Sequence, residues 1–446
     1  MSPQNGYFSD ATRWQSWLDV EAALALAQTE IGMIPADAAA IIAQNATLEA
    51  FNITHLRAEI TRTMAPVFAM SECLAQACGA AGAYVHWGAT TQNIIETGRL
   101  LVLKHVHAEI LGKLSQVLAT LARQAEAHAD QVMVGRTNRQ NALPITYGFK
   151  IAGWIDELTR VAAQLREAEP RLFQLRFGGA IGGYHSFGPD GPVMAEVFAK
   201  RLGLELSMVP NRTSVDPLIE YISKLSLLGV AVSRRAGELY LMMTEEIGEV
   251  YEALPNGVIG SSTMPQKINP KHVIELNTKA LHPRSKAATA FATPSPSHEG
   301  DAVTNQYLTQ LAAETCTLAV EVMRKLASTV AVVHPNRARM QTNFQNAREM
   351  MATEGLMMKL AEKIGRSAAH DLIHNLVAQA SKTQTSLRII MLDSPKVAEA
   401  IGVKSINYAL CVNPNIGQGA VIARANAAAG RKTAQELKAA ANAMLT

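Results

Sequence analysis

Residues 101–121 read LVLKHVHAEILGKLSQVLATL, and this stretch decides the fold class. Its apolar residues recur at steps of three and four, the period that puts side chains on one face of an α-helix. They are Leu103, Val106, Ile110, Leu114, Val117 and Leu121. Proline, which breaks helix interiors, is absent between Pro66 and Pro144. The pattern therefore predicts one long amphipathic helix in this part of the chain.

Three further proline-free tracts indicate more long helices. Residues 218–254, 297–334 and 336–394 are dense in Ala, Leu, Met, Glu and Lys, which are strong helix formers. The first tract contains LSLLGVAV and LYLMM, which are apolar on more than one helical face. Such a helix must be buried on several sides, so we expect several copies of the chain to associate.

These patterns predict an all-α fold, because alternating strand patterns are almost absent. We expect a bundle of long helices flanked by two smaller helical domains. The predicted limits are residues 1–100 for the N-terminal domain, 101–350 for the central bundle and 351–446 for the C-terminal domain.

Composition points to a small-molecule partner. The 446 residues carry 41 basic and 38 acidic side chains, a net charge of +3, which is far from the basic surface that nucleic acid or an anionic membrane requires. No run of 18 apolar residues and no leader-like segment occurs. The four cysteines form neither a disulfide framework nor CxxC pairs. We expect a cytoplasmic protein without metal or cofactor.

Three polar segments interrupt the helical pattern: HWGATTQN at 86–93, GRTNRQNALP at 135–144 and GSSTMPQKINP at 260–270. Each is expected at or near a helix end, where free backbone N–H groups favour carboxylates. The alternative for Thr90 and Thr137 is ordinary helix capping.

Two other patterns are weaker. The histidine pairs His105/His107 and His370/His374 lack a third metal ligand beside them, which favours surface or core roles. FGGAIGG at 177–183 lacks the order of a phosphate loop, which favours tight packing at a helix end.

The segment GSSTMPQKINP resembles the GSSxMPxKxNP signature of the fumarase/aspartase superfamily at every fixed position from Gly260 to Pro270. GRTNRQNALP and HWGATTQN are similar to two further segments of that superfamily, and LDVEAALALAQ, EEIGEVYE and NPNIGQGA extend the likeness over nearly the whole chain. The pattern is nearest to the branch of adenylosuccinate lyases and 3-carboxy-cis,cis-muconate cycloisomerases. The resemblance implies a three-domain helical subunit in a homotetramer, with each active site built from three subunits.

The resemblance also implies roles for named residues. Ser261 is the base that removes a proton from carbon, on a mobile loop to which Gly260 gives conformational freedom. Lys267 and nearby N–H groups stabilise its alkoxide. The substrate carboxylate is held by Lys267 and Asn269, with Thr90, Thr91, Thr137, Asn138 and Ser262 around it and Met264 supporting the loop. Ser-Ser followed by Met-Pro gives no expectation of a capping role.

His86 matches a histidine that adenylosuccinate lyases use in catalysis, and its imidazole suits proton donation to a leaving group. Glu275 matches a glutamate that partners a catalytic histidine. The alternatives are a histidine satisfied in the core and a solvated helix glutamate.

Several positions depart from the adenylosuccinate lyases. Asn138 replaces a histidine, and an amide cannot act as a general acid. Gly300, Asn305 and Thr309 stand where those enzymes hold a phosphate with two arginines and a serine, and none of the three is charged. The QRD and HKR segments of the family become Ser214-Val215-Asp216 and Gln266-Lys267-Ile268. Adenylosuccinate is therefore not the expected substrate.

We expect a lyase that performs β-elimination on a succinyl or aspartyl compound, a small dicarboxylate, by C–N cleavage with release of fumarate. The first alternative is a 3-carboxy-cis,cis-muconate cycloisomerase, because TTQN resembles the TSQD of those enzymes. The second is an inactive structural protein, as in the lens crystallins of this superfamily.

Overall fold

The computed structural model describes residues 6–412 and 415–445, with the side chains of Cys411 and Val412 outside that description. Of the segment NPNIGQGA, Asn413 and Pro414 lie outside the described residues. The α-helices of the described part are Asp10–Glu30 (α1), Ala36–Asn45 (α2), Ile53–Thr63 (α3), Pro66–Ala77 (α4), Thr91–Ala127 (α5), Tyr147–Leu172 (α6), Gly191–Arg201 (α7), Asp216–Met242 (α8), His272–Leu281 (α9), Lys286–Phe291 (α10), Ala302–Val332 (α11), Arg337–Met351 (α12), Thr353–Ile364 (α13), Arg366–Thr383 (α14), Leu387–Leu392 (α15), Pro395–Ile401 (α16), Val403–Asn407 (α17) and Gly419–Ala443 (α18).

The strands of the described part form three small pairs. They are Val132–Thr137 (β1), Gln140–Thr146 (β2), Gln174–Leu175 (β3), Glu205–Leu206 (β4), Val250–Glu252 (β5) and Val333–Pro335 (β6). β1 and β2 form an antiparallel hairpin, β3 and β4 pair in parallel, and β5 and β6 pair antiparallel. The chain is thus mainly helical, and the predicted all-α class is confirmed.

Three of the predicted long helices are present as α5, α8 and α11, and the fourth prediction is wrong. Residues 336–394 form four helices rather than one. Two of the breaks have left-handed backbone at Gly365, with φ +79°, and at Gln384, with φ +51°. A left-handed residue ends an α-helix, and strong helix formers on either side do not prevent it. The proline rule also missed α6, because Pro170 lies in its last turn.

The main apolar core is built by α5, α6, α8, α11 and α18, and α1 packs against α5 at one end. α5 and α11 run in the same direction. Arg99, near the start of α5, contacts Asn305 and Thr309 on α11, while Gln124 near its end donates to the Val330 carbonyl oxygen at 3.0 Å. α5 has 37 residues and is therefore about 55 Å long.

A second apolar core lies within α13–α17, around Leu356, Leu360, Leu387 and Met391. α18 instead returns to the main core, where Ser115 on α5 donates to the Ala434 carbonyl oxygen at 2.6 Å. The domain limits near residues 100 and 350 stay predictions. No helix in residues 6–412 and 415–445 is long and apolar enough to cross a membrane.

Candidate active site

The loop before α5 carries His86 and is fixed by α1. Glu21 on α1 is buried, and its Oε1 lies 2.6 Å from Nδ1 of His86. Seven residues further along the same helix face, the buried Gln28 donates to the Trp87 carbonyl oxygen at 2.7 Å. His86 has φ +59°, a left-handed conformation that non-glycine residues rarely adopt. α1 therefore holds both the backbone and the imidazole of this loop.

Glu21 controls the charge of His86. Burial lowers the pKa of the imidazole, but the hydrogen bond and the negative charge of Glu21 outweigh burial, so the pKa of His86 is raised above its ordinary value. With Nδ1 bonded to Glu21, Nε2 is the nitrogen left to act on a ligand. The His86 side chain is 25% exposed, which gives a ligand access to it.

Two threonines follow this loop at the start of α5. Thr90 is the N-cap residue, and its backbone N–H donates to Asn93 Oδ1 at 3.2 Å. Thr91 is exposed in the first turn. The first N–H groups of a helix have no partner within the helix. His86, Thr90 and Thr91 therefore surround a helix N-terminus suited to an anionic ligand.

The segment GRTNRQNALP ends two residues before the N-cap of α6, but its polar residues lie in a hairpin and not at the helix end. Its residues form the β1–β2 hairpin, with Thr137 paired to Gln140. Asn138, at φ +49°, and Arg139, at φ +65°, form the two-residue turn. Two positive φ values match the twist of a tight antiparallel hairpin. Thr137 is therefore not a helix cap; it lies exposed at the hairpin tip with Asn138.

A buried ion pair connects the hairpin to the chain before the Ser261 loop. Arg136 donates to Glu249 through both terminal nitrogens, at 2.8 and 2.9 Å, and Asn343 Nδ2 donates to the same carboxylate at 3.0 Å. Glu249 is fully buried. Bidentate contacts of this kind fix orientation as well as distance. A cavity of 460 Å³ lies beside the hairpin and is lined in part by Arg136, Arg139 and Asn343.

Ser261 accepts two backbone hydrogen bonds in its own loop. The N–H groups of Thr263 and Met264 donate to Ser261 Oγ, at 3.4 and 3.2 Å. The serine therefore caps a turn, which corrects the expectation that Ser-Ser before Met-Pro has no capping role. Both donors point at the oxygen that the sequence analysis assigned as the base, and hydrogen bonds from N–H groups favour an ionised oxygen.

Gly260 has a different role from the one expected. Its φ is not positive; instead, a Cβ here would lie 2.4 Å from the Lys267 carbonyl oxygen. Glycine is needed because the two arms of the loop approach closely at this point, and Asn269 Nδ2 joins them by donating to the Gly260 carbonyl oxygen at 3.1 Å. The Lys267 side chain is exposed and bonds to no described residue.

Glu252 anchors both ends of the loop 253–271. It ends β5, and its carboxylate accepts the backbone N–H groups of Lys271, His272 and Val273 at 2.7, 3.1 and 2.7 Å. These N–H groups lie at the start of α9. A carboxylate is favoured there because the N–H groups have no partner within the helix and because the helix dipole is positive at this end. The carboxylate thus closes the base of the loop.

Within the chain, Glu275 pairs with lysine rather than histidine. Lys325 Nζ lies 2.6 Å from its carboxylate, and the hydrogen bond from Lys325 lowers the pKa of Glu275 despite the opposing effect of burial. His272 Nδ1 is also near this lysine, at 3.4 Å from Nζ.

The predicted site residues occupy two ends of the long helices. His86, Thr90 and Thr91 precede α5, whereas the hairpin follows it and the Ser261 loop joins β5, which pairs with β6 at the end of α11. From Glu252 to Ser261 the chain spans nine residues and reaches about 30 Å at most, well short of the length of α5. One chain therefore cannot bring its own Ser261 to its own His86.

Gly300, Asn305 and Thr309 carry no charge themselves, but an arginine side chain lies against each of them. Arg99 Nη1 donates to Asn305 at 3.2 Å and to Thr309 at 2.8 Å. A Cβ on Gly300 would lie 3.1 Å from the guanidinium of Arg212.

Other features of the described residues concern metals and cavities. No group of three potential metal ligands occurs among them. His107 is buried, with its ring nitrogens 3.0 Å from Tyr221 Oη and 3.0 Å from Glu169. FGGAIGG is tightly packed but lies in the loop between β3 and α7, where a Cβ on Gly178 would be 2.6 Å from the Gly182 carbonyl oxygen. A groove of 1080 Å³ between α1, α5 and α11 contains none of the predicted site residues.

Sequence reasoning missed three acidic residues that organise the site. They are Glu21, Glu249 and Glu252, each inside a segment quoted for its family likeness or next to it. A signal existed for Glu21, because it falls on the same helical stripe as the buried Trp14, Trp17 and Leu18. The partners of Glu249 and Glu252 depend on tertiary structure.

Comparison with known proteins decides the family. A family model described as lyase matches residues 1–282. The chain belongs to the fumarase/aspartase superfamily. Within this superfamily it is similar to the 3-carboxy-cis,cis-muconate cycloisomerase of Pseudomonas aeruginosa, with 32% identity over 94% of this chain and 92% of the relative. It is also similar to the N-acetyl-S-(2-succino)cysteine lyase of Dickeya dadantii, with 29% identity over 90% of this chain and 88% of the relative.

The solved structures of the fumarase/aspartase superfamily agree with this assignment. The fumarate lyase of Mesorhizobium sp. BNC1 superposes with a TM-score of 0.87, at 28% identity over 95% of this chain and 96% of that structure.

Proposed function

We propose that this protein is a lyase that removes a proton from the carbon beside a carboxylate and expels an amine or a thiol from the neighbouring carbon, releasing fumarate. The observation that carries the proposal is Ser261, held by two backbone N–H groups inside the GSSTMPQKINP loop. A loop that aims two donors at one hydroxyl oxygen stabilises the charge that this oxygen must bear as a base.

The proton is the difficult part of the reaction, because its removal puts two negative charges on one carboxylate group. Lys267 supplies an exposed ammonium to that group, and Asn269 retains a second amide hydrogen beyond the one bonded to Gly260. Thr90 and Thr91 add the N-terminus of α5. Removing one such donor typically costs about 3–4 kcal/mol of barrier.

His86 is the proposed general acid. Asn138 lies at the hairpin tip and cannot donate a proton as an acid, whereas the Glu21 contact favours the imidazolium form of His86. A thiolate can leave as an anion, because a thiol has a pKa of about 8.5, whereas an amine leaves only after its nitrogen has been protonated. We therefore widen the expected C–N cleavage to C–S cleavage. The similarity to an N-acetyl-S-(2-succino)cysteine lyase supports C–S cleavage.

The site is proposed to be shared between copies of the chain. The length of α5 separates the His86 end from the Ser261 end, so a working site needs His86 from one copy and Ser261 from another. A homotetramer with each site built from three subunits fits this requirement. We retain a cytoplasmic location as part of the proposal, and the free thiols of Cys73, Cys78 and Cys316 agree with a reducing compartment.

The first experiment measures fumarate by its ultraviolet absorbance, with matched N-substituted and S-substituted succinates. Ser261→Ala is expected to lower kcat by about a hundredfold to ten-thousandfold. Thr263→Ala is the matched control, since it removes the neighbouring hydroxyl but keeps the backbone N–H. Equal rates for the parent and Ser261→Ala would exclude Ser261 as the base. No turnover and no binding of fumarate or succinate would favour the inactive structural protein.

The second experiment tests sharing. Ser261→Ala and His86→Gln proteins are each expected to be inactive, and the two are mixed, unfolded and refolded together. Random reassembly makes about a quarter of the sites intact if the two residues come from different copies. Absence of recovered activity in a properly refolded mixture would contradict a shared site.

The second candidate is 3-carboxy-cis,cis-muconate cycloisomerase activity, favoured by the similarity to such an enzyme along nearly the full chain. The cycloisomerase reaction is an intramolecular addition, and it also requires a site that stabilises a carbanion beside a carboxylate. Lactone formation from 3-carboxymuconate, in the absence of fumarate release from any succinyl compound, would select it.

A further inference from the structure

The groove of 1080 Å³ between α1, α5 and α11 contains none of the residues assigned to catalysis. Its walls are mainly apolar, with side chains from the segment before α1, from α5 and from α11: Phe8, Leu101, Val102, Leu318 and Val320. The groove is large enough for a small organic molecule, since ligand pockets typically measure about 300–1,000 Å³. The polar groups that line it therefore decide which kind of molecule can bind.

Hydroxyl groups in the groove are satisfied within the chain. The side-chain oxygens of Ser9 and Thr12 lie 2.9 Å apart and are hydrogen-bonded to each other. Thr317 Oγ1 donates to the Ala313 carbonyl oxygen at 2.8 Å. These hydroxyls gain little from a further polar partner, so they do not determine the charge of a ligand.

Two of the basic side chains in the groove are already paired with carboxylates. Lys286 Nζ lies 2.7 Å from Glu314. Arg324 Nη2 donates to Glu109 at 2.8 Å, and Tyr7 Oη donates to the same carboxylate at 2.6 Å. An anionic ligand would have to compete with these carboxylates, so the groove is not suited to an anion.

Asp19 on α1 is an acid of the groove that forms no ion pair within the described part of the chain, whereas Glu321 pairs with Lys279 at 2.9 Å. Asp19 Oδ1 accepts a hydrogen bond from Gln15 Nε2 at 2.8 Å, and Oδ2 accepts none from the described residues. Gln15 is itself held, because its Oε1 accepts the backbone N–H of Leu48 at 3.0 Å. The carboxylate is therefore fixed in place with one oxygen open to the groove.

The walls of the groove partly dehydrate the Asp19 carboxylate. This loss of water raises the pKa of Asp19, and the hydrogen bond from Gln15 and the charge of His105 oppose the rise only in part. The side chain nevertheless remains accessible from the groove. A partly dehydrated carboxylate gains more from a cation than a carboxylate in open water does, because the attraction is screened less.

We propose that this groove binds an amphiphilic organic cation, a molecule with an ammonium group and an apolar body. The ammonium pairs with the open oxygen of Asp19, and the body covers the apolar side chains of α5 and α11. The groove is a second site, and its ligand is neither the succinyl substrate nor fumarate, because both of these are anions.

The test compares four probes by ligand-observed NMR on the full chain. 4-Phenylbutylamine, 4-phenylbutan-1-ol and 4-phenylbutyrate share one apolar body, and methylamine lacks it. 4-Phenylbutylamine is expected to bind about tenfold more tightly than the alcohol, and both 4-phenylbutyrate and methylamine more weakly than the alcohol. Asp19→Asn keeps the oxygen that Gln15 contacts but removes the charge, and it is expected to reduce the advantage of the amine to about twofold or less. Asp37→Asn, an exposed position on α2 outside the groove, is the matched control and leaves the advantage intact.

A blocking variant places the probes in the groove. Ala313→Phe adds a ring to the α11 wall and is expected to weaken the binding of the amine and the alcohol alike. Equal binding of amine and alcohol by the parent overturns the inference, and so does an undiminished preference in Asp19→Asn. Displacement of the amine by excess succinate would place it in the active site and would also overturn the inference.

The competing occupant is a second copy of the chain. In that case no probe binds, and Ala313→Phe changes the size of the assembly measured by sedimentation, which refutes the small-molecule site. None of these measurements depends on fumarate release, so failure of the groove proposal leaves the proposed function standing.

Discussion

Replacing Glu21 by glutamine isolates the charge that lies behind His86. Glutamine keeps the shape of the side chain and can still accept the hydrogen bond from Nδ1, but the negative charge is lost. Burial, which lowers the pKa of His86, is then no longer outweighed. The pKa of His86 is therefore expected to fall in the variant. Because imidazolium is the active form of an acid, the alkaline limb of the pH profile of kcat/KM moves to lower pH.

The size of the effect follows from the 2.6 Å contact with a buried carboxylate. A hydrogen bond to a charged group is worth about 1.5–3 kcal/mol and a neutral one about 1 kcal/mol, so the imidazolium loses about 1–2 kcal/mol of stabilisation. That corresponds to about a fivefold to thirtyfold lower rate on the alkaline limb. The unfolding temperature should not fall, because a neutral amide replaces a buried carboxylate whose Oε2 has no described partner.

The assay combines fumarate release across pH with NMR titration of ¹³C-labelled histidine, in which His86→Gln identifies the signal. Glu30→Gln, at the exposed end of α1, serves as the control. An unmoved alkaline limb together with an unshifted His86 signal would refute the reasoning. A shifted signal with an unchanged rate would show that His86 is positioned by Glu21 but is not the acid.

Three further results are expected. Gly260→Ala should abolish most activity while leaving the unfolding temperature nearly unchanged, because its Cβ would displace the Lys267 carbonyl of an exposed loop. A fully active variant would contradict the close approach of Gly260 to the Lys267 carbonyl. Arg136→Met should lower the free energy of unfolding in urea by about 3 kcal/mol, since it leaves the buried Glu249 without its cation; a loss below about 1 kcal/mol would mean that Asn343 suffices. Hydrogen bonds from Ser297 and Thr304 lower the pKa of Asp301 from 3.8 to about 2. Asp301 therefore stabilises the fold above its unfolded pKa, and this contribution is lost as pH falls through the folded one. The stability difference between the parent and Asp301→Asn should be constant above about pH 5 and shrink between about pH 4 and pH 2. A difference that grows on acidification would contradict the lowered pKa of Asp301.

Local sequence patterns predicted the helices whose formation depends on neighbouring residues in the chain. The three- and four-residue period of 101–121 is a property of one helix, and α5 follows it. The hairpin escaped notice because its turn is Asn138-Arg139 rather than the usual Asn-Gly, and its strands do not alternate polar and apolar residues.

The charged partners in the site could not be predicted in the same way. Arg136 and Glu249 are 113 residues apart, and Arg212 and Gln92 are 120 apart. Nothing in either local sequence marks them as neighbours. An acidic residue on an Ala- and Leu-rich helix is usually solvated, so Glu21 becomes informative only once its stripe of buried neighbours is noticed.

Glu252 gives the Ser261 loop a tolerance for damage. A protease that cut the exposed stretch between Val258 and Ile268 would leave two stumps, one continuous with β5 and the other with α9, and the carboxylate would still join them. The nicked protein would run as two fragments on a denaturing gel and as one particle under native conditions. The nicked protein would keep its fold but lose the arrangement of N–H donors around the Ser261 hydroxyl.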